Sequence, residues 1–262
     1  MSHAFTIPAY GRSSHLTACL DSILRQSRSD SEVVMSTSTP SNFLEKIAKE
    51  YRIPLLVNPV REGIGADWNF ALTSTDAQFV TIAHQDDRYE RDYTALMLDA
   101  IRRHPNAVIA YSNSTEHTPA GPRNININLR VKRALSNRAY RADEALEHPP
   151  EKRRLLTLGN PVCCPSVVIN RGLAPDFRFT NSMKSNLDWE AWSRLALSSG
   201  AFVYVRTALV SKCVHADSET STLIANRLRE KEDRQMFDRF WPSPVAAALS
   251  IMYKLSYRAN RQ

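Results

Sequence analysis

The sequence predicts an α/β fold with a mostly parallel sheet flanked by helices, and three features carry that prediction. From Ala4 to Tyr111, short apolar runs alternate with segments of helical periodicity, the signature of successive βαβ units. The second half then returns to strands and helices with no internal repeat and no linker between the halves. At 262 residues with 43% hydrophobic content, the chain can bury one large core. One compact domain whose two halves share a sheet is therefore expected.

Taken in order, Ala4-Phe5-Thr6-Ile7-Pro8 reads as a buried strand closed by proline. A helix follows over 13–26, with Leu16, Cys19, Leu20, Ile23 and Leu24 on one face and Ser13 or Ser14 as its cap. The second strand spans 32–36, a helix opened by Pro40-Ser41-Asn42 runs to Tyr51, and Leu55-Leu56-Val57 is the third strand. A loop and short helix occupy 63–73. Phe79 to Ala83 forms the fourth strand, and 90–104 an amphipathic helix lined by Tyr93, Leu96, Met97, Ala100 and Ile101. Residues 107–111 form another strand. Periodicity is lost over 112–137, either a flap or a surface excursion. Strands at 166–170, 202–205 and 208–214 and helices at 187–199 and 218–240 complete the domain.

The formal charge of +7 suits an anionic partner. Its basic residues are scattered, with concentrations at 123–138, 151–154 and the carboxyl end. A nucleic-acid surface would instead show one stripe with interleaved aromatics, so no nucleic-acid partner is expected. The sequence has no apolar run of membrane-spanning length and no signal peptide. Its four cysteines fit neither a zinc site nor a disulfide framework. These features point to reduced thiols and a cytoplasmic protein.

The most informative stretch is His84-Gln85-Asp86-Asp87, at the end of the fourth strand. Adjacent buried carboxylates must be desolvated and repel one another, and a divalent cation removes both costs. Successive strand residues point oppositely, so both can face one ion only if the chain turns. A helix-capping pair is the alternative. In parallel sheets, ligands bind beyond the carboxyl ends of the strands. The loops at Tyr10-Gly11-Arg12, 36–39 and 84–87 all belong to that edge.

Several segments, in order, resemble the family 2 inverting glycosyltransferases of the GT-A fold. They are Ile7-Pro8-Ala9-Tyr10-Gly11-Arg12 with the following helix, Gly63-Ile64-Gly65-Ala66-Asp67-Trp68-Asn69, and His84-Gln85-Asp86-Asp87. Asp188-Trp189-Glu190-Ala191-Trp192 and the segment from Lys212-Cys213-Val214-His215 to Thr220 continue the likeness. The resemblance implies Mn or Mg held by Asp87, Asp86 and His215, and Asp188 as the general base. Glu190 is the fallback for the base, and a plain N-cap is the other reading of Asp188. It further implies donor contacts from Pro8, Tyr10, Arg12, Ser36, Arg61 and Asp86, with a nucleotide-sugar donor and a saccharide or lipid-linked saccharide acceptor. Tyr10 can stack on the nucleobase or be a core tyrosine, and Arg61 can meet phosphate or be a surface arginine. His84 is expected as a packing or supporting residue. The border of the acceptor pocket is expected at 160–166, with no chemistry for Cys163 or Cys164. The family's acidic residue at the end of the second strand is missing here, where Ser36-Thr37-Ser38-Thr39 stand instead.

The implied activity is a metal-dependent sugar transfer, in bacterial surface polysaccharide synthesis. The alternatives are a sugar nucleotidyltransferase, whose glycine-rich lysine-containing phosphate loop is lacking, and a non-catalytic glycan-binding protein of the same fold. By this reading the transferase domain spans 1–241, its nucleotide half 1–111 and its acceptor half 112–241, and 242–262 is a helical tail. In that tail Val245, Ala248, Leu249, Met252 and Ser256 share one face, with Lys254, Arg258 and Arg261 on another. Such a helix can lie on an anionic membrane surface at the inner face of the cell membrane, pack on its own domain, or pair in a homodimer.

Overall fold

A computed structural model describes residues 1–118, 121–124, 126–140, 144–214 and 228–258. The first half builds a parallel sheet. β1 (His3–Pro8) pairs with β2 (Glu32–Thr37) and β4 (Phe79–Ile82), and β2 pairs with β3 (Leu55–Val57), all in parallel. Helices α1 (Leu16–Leu24), α2 (Asn42–Tyr51) and α3 (Ile64–Thr73) make the crossovers. Beyond β4 come β5 (Arg88–Tyr89), α4 (Tyr93–Arg103) and the long β6 (Ala107–Thr118).

The second half enters the same sheet, as expected. β9 (Val167–Asn170) inserts antiparallel between β4 and β6, while β10 (Ala201–Cys213) runs parallel to β6 and pairs with β5. The order is β3-β2-β1-β4-β9-β6-β10-β5, with β7 (Gly121–Arg123) on β6 and β8 (Ala145–Leu146) on β10. One apolar cluster, including Leu16, Leu20, Tyr93 and Met97, covers one side. The other gathers Trp68, Trp189, Trp192 and Phe237 with α5 (Ile127–Tyr140), α6 (Pro149–Leu156), α7 (Leu187–Leu195) and α8 (Leu228–Asp238).

Several expectations are corrected. The segment read as aperiodic continues β6 to Thr118 and then forms β7 and α5. Its period of two was hidden because the buried positions are Ser112, Ser114 and Glu116, polar residues turned inward. The two strands expected over 202–214 are one, whose register shifts between Val205 and Ala208. His15, not Ser13 or Ser14, stands at the N-cap of α1, and Leu24 and Leu96 are exposed rather than on the buried faces.

The tail forms α9 (Ser243–Arg258) and packs on its own domain. Ala246 is fully buried, and Leu249 and Tyr253 join the core around Trp189 and Phe237. Val245 and Met252, expected to share the apolar face with Leu249, are instead exposed.

Candidate active site

The acidic pair sits in a tight turn between β4 and β5, closed by a hydrogen bond from Asp87 N to His84 O (3.1 Å). This reversal meets the condition set by strand alternation, because ligand atoms of His84, Asp86 and Asp87 come within 4.8 Å of one another. Neighbouring chains hold the turn from two sides. The Gln85 side chain accepts from Tyr10 N (3.0 Å) and donates to Tyr10 O (3.2 Å), and Cys213 N donates to Asp87 Oδ1 (2.9 Å). The pair does not cap α4, whose N-cap position is Asp92.

Electrostatically the turn is unfinished. Asp87 is 2% exposed, and burial followed by the charge of Asp86 pushes its carboxyl far above the usual carboxylate range. Burial also holds His84 neutral, well below the usual imidazole value, against the opposing charge of Asp86. Asp87 Oδ2 and His84 Nε2 are both buried and make no hydrogen bond among the described residues. A neutral imidazole and two carboxylates, with His84 Nε2 and Asp87 Oδ2 buried and without a hydrogen bond, are a fitting donor set for Mn or Mg. His84, expected only to support the site, thus belongs to the cluster itself, its ring stacked on Trp68 at 5.0 Å. His215 lies outside the described residues.

The remaining donor-side residues gather at the carboxyl edge of the parallel strands. Tyr10 is 70% exposed there, so it is not a core tyrosine. Pro8 and Ser36 are partners in the β1–β2 register, and the Ser36 backbone accepts from Ala9 N (2.7 Å). Arg12 stacks over the Phe43 ring at 5.5 Å, and Arg61 is exposed in the loop before α3. An acid from another element does stand beside the end of β2. Asp67, in the first turn of α3, accepts from Ser38 Oγ (3.0 Å) and Asn58 Nδ2 (2.9 Å). On another side of α3, Gly65 lets the helix lie against the 180–181 loop, since a Cβ there would stand 2.6 Å from Thr180 O.

Asp188 occupies the start of α7 but is not its N-cap, which is Asn186. Asp188 Oδ2 accepts from Asn160 Nδ2 (2.9 Å) and Oδ1 from Trp189 N (2.7 Å). Burial raises its carboxyl above the ordinary range, opposed chiefly by Lys132 and also by Arg229 and Lys212. Lys212 and Cys164 interact electrostatically with both Asp87 and Asp188, so the two carboxylates belong to one electrostatic neighbourhood. Glu190, the fallback base, is buried and paired with Arg194 (3.0 Å) and Arg239 (3.1 Å).

The start of α7 is held by α8. Glu232 accepts from the backbone N–H groups of Lys184, Ser185 and Asn186 at 2.8 to 2.9 Å, pinning the loop that leads into α7 and its N-cap residue. Asn186 Nδ2 donates to Asp233 Oδ1 (2.6 Å). Burial pushes both thiols of Cys163 and Cys164 up, consistent with no chemistry for either. Lys132 and Glu232 were invisible as site residues because nothing local marks them, only the packing of α5 and α8 over the cleft.

Comparison with known proteins places this geometry. The model of the family described as Glycosyl transferase family 2 matches residues 5–169. Glycosyltransferase GlyA of Streptococcus pneumoniae serotype 4 is 30% identical over 100 residues, 36% of this chain but 14% of that protein. The chain thus corresponds to about one seventh of that curated relative's length. TarS of S. aureus, solved in complex with UDP-GlcNAc, superposes with a TM-score of 0.62 at 18% identity, over 92% of this chain and 71% of that one. The mannosyltransferase PcManGT from Pyrobaculum calidifontis, in complex with GDP-Man and Mn2+, gives 0.64 at 16% identity, over 98% and 70%. At these identities the two structures establish a shared fold.

Proposed function

Because the chain belongs to glycosyl transferase family 2 and is a glycosyltransferase, we propose that it moves one sugar, with inversion, from a nucleoside-diphosphate sugar to a glycan or lipid-linked acceptor. The setting we propose is bacterial surface polysaccharide synthesis at the cytoplasmic face of the membrane. The observation that carries the donor side is the His84–Asp86–Asp87 cluster, with buried orphaned atoms at the carboxyl edge of the sheet. Neighbours in complex with UDP-GlcNAc, and with GDP-Man and Mn2+, support a donor and an ion of these classes.

Asp87, Asp86 and His84 would hold Mn or Mg, and His215 remains a candidate ligand. When bound, that ion supplies fixed positive charge for the diphosphate leaving group. Tyr10, exposed beside the turn, offers a ring for the nucleobase. Pro8, Arg12, Ser36 and Arg61 border the same edge, and Asp86 can also reach the ribose. Asp188, aimed by Asn160 and Trp189 N, takes the acceptor hydroxyl's proton as its oxygen attacks the anomeric carbon. A new carbon–oxygen bond forms on the opposite face as the bond to the phosphate oxygen breaks, releasing nucleoside diphosphate. Lys132, Lys212 and Arg229 favour the charged form of Asp188, which the base requires.

We assign transfer to 1–241, with nucleotide and acceptor halves meeting at 111/112, and a docking role to 242–262. No helix among the described residues is long and apolar enough to cross a membrane. Ile251 and Met252, each 67% exposed on the outer side of α9, favour contact with an anionic lipid surface. Deletion after Pro242 should then weaken binding to anionic liposomes, and unchanged binding would leave α9 as packing alone.

The main test is a thermal-shift screen of nucleoside diphosphates with and without Mn2+. Ligand at ~100 times its Kd adds about 2.7 kcal/mol of stability. Stabilisation that needs Mn2+ supports the reading, and equal stabilisation without it removes the metal assignment. Release of pyrophosphate rather than nucleoside diphosphate would point to a nucleotidyltransferase.

A further inference from the structure

Taking Asp188 as the base proposed above, we infer that α9 positions it, with Tyr253 as the positioning residue. Tyr253 reaches both supports of the carboxylate. On one side its ring fills the space left by Gly159, where a Cβ would stand 2.9 Å from Tyr253 Cε2. Gly159 has φ +137°, a conformation that side-chain-bearing residues rarely adopt, so the chain here is shaped to admit the ring. The backbone of the next residue, Asn160, faces the Tyr253 hydroxyl. Asn160 Nδ2 in turn donates to Asp188 Oδ2 (2.9 Å), while its Oδ1 accepts from Val162 N (3.1 Å).

On the other side Tyr253 packs against Trp189 (ring centroids 5.9 Å apart) and Phe237 (5.6 Å). Trp189 N is the second donor to Asp188, and its indole is fixed by Leu156 O at 3.1 Å. One ring therefore braces the Asn160 loop and the first turn of α7 together. A base aimed by two fixed donors stays in line with its proton, and a displacement of about 1 Å can cost ~10²-fold in rate. Packing alone would need only the Trp189 and Phe237 contacts. The side-chain space at Gly159 that the ring occupies, next to the residue that donates to Asp188, goes beyond it.

The test uses the full chain carrying Tyr253→Ala, Tyr253→Phe or Leu249→Ala, the last a truncation on the same packed face that does not touch Gly159. Carbon-13 NMR of aspartate-labelled protein follows the Asp188 carboxyl, assigned by its loss in Asp188→Asn. Lys132 from α5, Lys212 from β10, Arg229 from α8 and Cys164 also face this group, and all remain in every variant. Burial is the main cause of the raised Asp188 titration, so water admitted by Tyr253→Ala should move it down towards the ordinary value of 3.8. Tyr253→Phe, which keeps the ring, and Leu249→Ala should leave it near the wild-type position. Release of nucleoside diphosphate from the sugar nucleotide that best stabilises the chain should fall about tenfold in kcat for Tyr253→Ala, with KM unchanged. Should Tyr253→Ala fail to melt cooperatively, Tyr253→Leu replaces it. An unmoved Asp188 titration, or an equal shift in Leu249→Ala, overturns the positioning role. A shift accompanied by full turnover in Asp188→Asn would instead sink the base assignment and leave the coupling standing.

Discussion

The two carboxylate centres of this cleft are built in different ways. Asp86 and Asp87 lie with His84 in one tight turn, braced by Gln85 from within it and by Cys213 N from β10. Asp188 depends on residues far apart in the chain: Asn160 after α6, Lys132 from α5, Glu232 from α8 and Tyr253 from α9. The first centre stores its geometry locally and should change little when remote packing is altered. The second is an assembly, so distant substitutions should reach it.

The largest expected effect would break the local centre directly. Asp87→Ala should abolish Mn2+-dependent nucleotide binding in calorimetry and lower turnover by about 10²–10³-fold. Retained binding would mean that the turn holds no ion. Next comes Asp188→Asn, expected to cut kcat by about 10²-fold or more while nucleotide affinity stays within about twofold. In the unmutated enzyme the base must be ionised, and burial raises its titration above 3.8. The rate should thus fall with decreasing pH at a midpoint higher than an ordinary aspartate would give. A midpoint at or below 3.8 would contradict a buried base.

A smaller effect tests the asymmetry itself. Gly159→Ala places a methyl against Tyr253 at a positive φ, so stability should fall by about 1–3 kcal/mol in urea titration. Asp188 should move with it, whereas Mn2+-dependent nucleotide affinity should not. Loss of nucleotide affinity in this variant would show that the two centres are coupled after all.

An effect confined to the pH dependence concerns Asp233, which supports the N-cap of α7. Burial raises its carboxyl from 3.8 to about 6. Across that window the folded state holds more protons than the unfolded one, so this group's contribution to stability falls as pH rises and is level above it. The loss is of order 2–3 kcal/mol. Asp233→Asn should flatten that part of the stability curve, and an unchanged difference between pH 4 and pH 6 would place Asp233 in a solvated setting.

These contrasts explain how much of the site could be read in advance. The acidic turn was legible because its residues adjoin a strand whose apolar run is unmistakable, and a ligand edge follows from parallel strand order. Asp67 was not singled out, since its contacts with Ser38 and Asn58 arise only when β2, β3 and α3 come together. His84 was read as a supporting residue, because the turn that brings its ring beside Asp86 and Asp87 depends on the Asp87–His84 hydrogen bond. The stretch after Tyr111 hid a strand, as its inward residues are polar and carry no hydrophobic period.

Local chemistry alone determined the α/β alternation, the shared sheet and the acidic turn, because each is written in neighbouring residues or in a short period. Asp188, by contrast, was marked only by the family resemblance. Tertiary packing decided which face of α9 is buried, how β9 enters between β4 and β6, and which side chains surround Asp188. The reason is physical: periodicity reports how a segment meets its surroundings in general, whereas a cleft joined from five separate elements exists only once their surfaces have closed on one another.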